Sequence, residues 1–109
     1  MANRDIFLLT NPPQSKRAEL CLRLMEHGDD PVLYLAGDGV YNLLDEALLE
    51  KWPGKVMACN EDLEARGLQA GERVRVPEDF YQLLVEEMVA EGSRIYYFFT
   101  AIPRCLHRG

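Results

Sequence analysis

Val32-Leu33-Tyr34-Leu35-Ala36-Gly37-Asp38-Gly39-Val40-Tyr41 is the stretch on which the fold turns. Its first five residues are all apolar. The run is too short for a helix and does not alternate, so it predicts a strand buried on both faces. Gly37-Asp38-Gly39 breaks the run. Beyond it Val40, Leu43, Leu44, Ala47 and Leu48 recur at i, i+3, i+4, i+7 and i+8, which predicts a helix over residues 40–51. Pro53-Gly54 closes it. A fully apolar strand, a glycine loop and an amphipathic helix are the repeating unit of a parallel sheet with helical crossovers.

The same unit recurs on both sides. Residues 5–10 form an apolar run that stops at Asn11-Pro12-Pro13, a strand and its turn. Ser15 then caps a helix over residues 16–27, with Leu20, Cys21, Leu24 and Met25 on one face, and Gly28 and Pro31 end it. Residues 55–59 read as a third strand. Asn60 is the expected cap of a helix over residues 61–66, which Gly67 terminates. Arg73-Val74-Arg75-Val76 alternates and suggests a short edge strand. Pro77 is expected to open a helix, with Glu78 and Asp79 in its first turn and Phe80, Leu83, Leu84 and Met88 facing inward. Residues 94–99 make the last strand, and an irregular tail begins at Thr100. Strict alternation predicts one α/β domain over residues 1–109, three layers (α/β/α) around a mostly parallel sheet of five strands. Sites in such sheets form beyond the carboxyl ends of the strands. That edge carries residues 11–15, 37–41 and 59–62.

Composition narrows the function. Twelve basic residues against eighteen acidic ones give a net charge of −6. No Lys/Arg run is present, which argues against direct nucleic-acid binding and against an anionic membrane surface. The first apolar run is too short for a secretion signal or a membrane span, so a cytoplasmic location is expected. A chain of 109 residues buries a modest fraction of its surface, and oligomerisation would help it.

Three cysteines, Cys21, Cys59 and Cys105, are widely spaced and form neither a disulfide framework nor a zinc pair. Cys59 is the main catalytic candidate. It sits where the third strand yields to a helix, and the N–H groups and dipole at that end favour a thiolate, which is the nucleophile. The alternative is a small buried hydrophobe at a strand end. Glu61, Asp62 and Glu64 follow it, and carboxylates near a thiol oppose ionisation. Cys21 and Cys105 are secondary thiols: Cys21 on an apolar helix face reads as packing, and Cys105 lies in the tail beside Arg104, His107 and Arg108. Four further residues are candidates for supporting the site. Asn60 adjoins Cys59. Asp38 reads either as a pocket hydrogen-bonding group or as a turn residue. Tyr41 stands in the first turn after it, and Arg66 pairs with Asp62 at i, i+4, meets a neighbouring subunit, or is a solvated helix-end charge.

Two of these segments resemble a known family. Cys59-Asn60-Glu61-Asp62-Leu63-Glu64-Ala65-Arg66-Gly67-Leu68 resembles the stretch of DsrE- and TusD-like proteins in which a cysteine precedes an Arg-Gly pair. Leu35-Ala36-Gly37-Asp38-Gly39-Val40-Tyr41 resembles the Asp-Gly-Val-Tyr loop of DsrH- and TusB-like members, and the helix containing Cys21 resembles the corresponding DsrH helix. The chain thus looks like a member of the DsrE/DsrF/DsrH family of sulfur-relay proteins. The resemblance implies a sulfurtransferase or carrier that holds sulfane sulfur as a persulfide on Cys59. The alternative it allows is a non-catalytic structural subunit. It also implies other sulfur carriers or subunits as partners, in homo- or hetero-oligomers, as trimers or hexamers. No metal or organic cofactor is required, since thiol exchange needs only a nucleophile, access and a leaving group.

Other readings fit the residues poorly. Cys59 and Arg66 have six residues between them, one too many for a cysteine phosphatase loop, and the acids there would repel phosphate. The loop after the first strand lacks the glycines of a flavodoxin. The third strand ends in Cys, where a receiver domain needs Asp. The two histidines, His27 and His107, stand far apart without ligand spacing.

Overall fold

A computed structural model describes residues 4–44, 46–52 and 54–98 of the chain. Cys105, Phe99 and the tail from Thr100 lie outside the described residues, as do Pro53 and the side chains of Ala47 and Leu48. The elements in order are β1 (Arg4–Leu9), α1 (Lys16–Glu26), β2 (Val32–Leu35), a 3₁₀ helix (Gly37–Leu44) and α2 (Glu46–Lys51). Then come β3 (Lys55–Ala58), α3 (Asn60–Ala65), β4 (Val74–Arg75), α4 (Phe80–Val89) and β5 (Ser93–Phe98).

The five strands form one sheet in the order β4-β3-β2-β1-β5. Every strand pair among the described residues is parallel, in keeping with the expected parallel sheet of five strands. Side chains alternate between its faces. Phe7, Leu9, Leu33, Leu35, Val56 and Ala58 face one layer, where Cys21 and Met25 of α1, Val40 and Leu43 of the 3₁₀ helix and Leu63 of α3 cover them. Ile6, Leu8, Val32, Tyr34 and Met57 face the other, where Phe80 and Leu84 of α4 meet them.

Connection handedness explains this unequal cover. β1 to β4 step across the sheet in one direction. The chain then returns from β4 to pair β5 with the far side of β1. Right-handed crossovers place helices on opposite faces when the direction reverses, so among the described residues α4 packs alone on the second face. Among the described residues no helix is long and apolar enough to cross a membrane.

Several local expectations change. The segment over residues 40–51 is two helices. Its first part tightens to 3₁₀ where Gly39 lies against the backbone of Leu9, an approach that leaves no room for a Cβ. The buried Asn42 amide ties that turn down, donating to the carbonyls of Gly39 (2.8 Å) and Asn11 (3.0 Å). Helix α1 buries Ala18, Cys21 and Met25 and leaves Leu20 47% exposed, because Leu20 lies about 100° from Cys21 around the helix. The expected Ser15 cap is present and accepts the Ala18 N–H at 3.1 Å. Helix α4 begins at Phe80, since Asp79 is its non-helical cap residue, so Pro77 and Glu78 precede the helix.

Candidate functional site

β3 delivers Cys59 to the carboxyl edge of the sheet. Its N–H still donates to Leu35 O (3.1 Å), continuing the β2–β3 ladder, while its C=O accepts from Leu63 (3.0 Å). Cys59 is therefore itself the N-cap of α3, in extended geometry (φ −80°, ψ 120°) and with no side-chain cap bond. Asn60, the expected cap, is instead the first residue of the helix, and its amide donates to Glu64 Oε1 at 3.1 Å. The strand ends at Ala58, so the helix starts one residue earlier than the cap preference of Asn suggests.

A cleft of about 790 Å³ opens beside this turn, lined by Cys59, Asn60, Glu61, Val76, Pro77, Glu78, Asp79, Phe80, Tyr81 and Gln82. Cys59 contributes from its floor, only 4% exposed. Burial pushes the thiol above its ordinary value; the Asp62 N–H opposes this, the Asp62 carboxylate adds to it, and the Glu61 N–H opposes it. The helix end thus presents donors to the sulfur, yet desolvation outweighs them. Tyr81 lines the same cleft. Its phenol is also pushed up, first by burial and then by the charge that Cys59 and Asp62 place beside it.

A second cluster braces the far side of α3. Arg66 reaches Asp38 with Nη2 at 3.0 Å and Nε at 3.2 Å, and donates through Nη1 to Asp62 O at 3.1 Å. Its guanidinium sits 5.7 Å from the Tyr41 ring centre. Asp62 Oδ2 accepts the Gly37 N–H at 2.8 Å. The sequence-derived residues Asp38, Tyr41 and Arg66 thus meet each other, linking the loop after β2 to α3. They are not among the residues lining the cleft. Among the described residues, only Cys59 and Asn60 of the named candidates line it.

Cys21 stands apart, 1% exposed in the core between α1 and the sheet, and burial pushes its thiol up to about 12. Sequence reasoning missed the cleft's second wall, Val76 to Gln82. The sequence marks Asp62 as a charge near Cys59 and as a partner of Arg66, and gives no sign of its bond to Gly37. The Pro77-Glu78-Asp79 break after a short strand was the available signal for a wall. Nothing local says that the wall faces Cys59.

The family model described as DsrH like protein matches residues 10–91. That span includes β2, the Gly37-Asp38-Gly39 loop, Cys59 and α4. No curated protein matches the chain.

Proposed function

The chain belongs to the DsrH-like family, whose membership suggests a role in sulfur relay, and on that premise we propose that it acts as a non-catalytic subunit of a sulfur-relay assembly. One observation carries this reading. Cys59 is almost closed to solvent, and burial, with the Asp62 carboxylate adding to it, pushes its thiol above the ordinary value. A transfer cysteine must be reachable and ionised near neutral pH. Its partners would be other sulfur carriers or subunits, in a homo- or hetero-oligomer such as a trimer or hexamer.

A second reading keeps Cys59 as the persulfide carrier. It is favoured by the N–H groups of Glu61 and Asp62, which lower the thiol's pKa, and by the cleft over the sulfur. In that chemistry the Cys59 thiolate attacks the outer sulfur of a donor R–S–SH. The donor S–S bond breaks, R–S⁻ leaves and takes up a proton, and Cys59–S–SH forms with no net redox change. An acceptor thiolate then removes the outer sulfur by the same exchange.

Incubation of the folded protein with a persulfide donor, followed by intact and peptide masses, separates the two. Cys59→Ser, Cys21→Ser and Cys105→Ser run alongside. No adduct on any cysteine, in a protein that assembles, supports the subunit reading. A gain of about one sulfur mass, lost with reductant and absent only in Cys59→Ser, overturns it in favour of the carrier.

A further inference from the structure

The apolar arc of α4 is wider than the sheet can cover. Phe80 and Leu84 are buried on the second face of the sheet, with Met88 packed partly against it. Tyr81, Val85 and Val89 follow one another at i, i+4 and i+8 and form a stripe that turns away from the core. They are 55%, 55% and 78% exposed. The stripe begins at the mouth of the Cys59 cleft, where Tyr81 lines both. Single exposed apolar residues are ordinary, but an aligned row that continues into a cleft marks a contact surface.

The rim says what the surface accepts. Glu78 and Asp79 stand at the head of the stripe, Glu86 borders its outer edge, and Glu61 faces it across the cleft; all four are exposed. None of them joins an ion pair among the described residues. A second copy, also carrying −6, would set these carboxylates against their own kind. An anionic lipid surface would be repelled in the same way. We propose that the outer face of α4, from Tyr81 to Val89, docks an apolar-faced segment of a different polypeptide whose flanks carry Lys or Arg. The inference deepens the subunit reading and rests on it for its purpose, since it names the chemistry of the partner and the face that meets it. An amphipathic helix laid along α4 would bury the stripe and pair its cations with the rim.

The test uses the full chain and a labelled helical peptide of about 14 residues, leucine on one face and lysine on the other, about four turns long. A leucine–glutamate peptide of the same length is the control. Anisotropy should show saturable binding of the lysine peptide alone, weakened about tenfold or more by Val85→Lys and by Glu78→Lys with Glu86→Lys. Leu20→Lys, on the opposite layer, should leave it unchanged. These positions are exposed, and circular dichroism confirms that each variant folds. Equal binding of both peptides overturns the proposal, as does binding indifferent to Val85→Lys. Self-association of the peptide-free chain that Val85→Lys abolishes also overturns it, and assigns the face to a second copy. The test involves no sulfur chemistry and no persulfide donor, so its failure is distinct from failure of the subunit reading.

Discussion

The Asp62 carboxylate, three residues beyond Cys59, accepts the backbone N–H of Gly37 at 2.8 Å. One oxygen thereby anchors α3 to the loop after β2, while the charge it carries lies beside the Cys59 sulfur and raises its pKa. Brace and electrostatic restraint are the same side chain.

Asp62→Asn separates the two roles, because an amide oxygen still accepts from Gly37 but carries no charge. The pH profile of Cys59 alkylation, read by peptide mass, should sit above the ordinary thiol value of 9.0 in the wild type. It should move down in Asp62→Asn. Asp62→Ala should lower stability as well, since the Gly37 N–H loses its partner.

Cys21 gives a pH dependence of known sign. Its folded thiol titrates near 12 against an ordinary 9.0. A raised folded value means that the unfolded chain ionises first, so the stability is complete below pH 9 and declines as pH rises toward 12. The full displacement is worth on the order of 4 kcal/mol. Urea unfolding from pH 8 upward should show a steeper decline in the wild type than in Cys21→Ala, whose lower starting stability reflects the cavity.

Gly39→Ala should be costly where Gly71→Ala is not. A Cβ at Gly39 runs into the Leu9 carbonyl, whereas at Gly71 nothing lies within 4 Å. Backbone cannot yield as a side chain can. Urea unfolding should show a loss of roughly 3 kcal/mol or more for Gly39→Ala and within about 0.5 kcal/mol for Gly71→Ala.

Tyr34→Phe tests the second face. The buried Tyr34 hydroxyl donates to Glu87 Oε1 at 2.7 Å, and Arg4 reaches the same carboxylate at 3.5 Å. Removing the donor leaves a half-buried charge short of a partner, a cost of about 1–2 kcal/mol. Glu87→Gln should cost less in the same urea assay, since the amide removes the charge and keeps an acceptor.

What the residues determined alone was the alternation of elements and the edge on which Cys59 lies. Apolar runs such as Val32 to Ala36 and periodic helices such as α1 are local signals, readable without any partner. The Ser15 cap was legible for the same reason, since its bond spans three residues. Tertiary structure decided everything that depended on distance. It made Cys59 the cap in place of Asn60, because the β2–β3 pairing ends at Leu35 and Ala58. It left Leu20 in solvent and tightened the segment after Gly37 against Leu9. It also brought Tyr81 to the Cys59 cleft and turned Val85 and Val89 outward. Which face α4 covers follows from the reversal of direction between β4 and β5. A helix's own periodicity carries the width of its apolar arc and no record of which part of it the sheet will take.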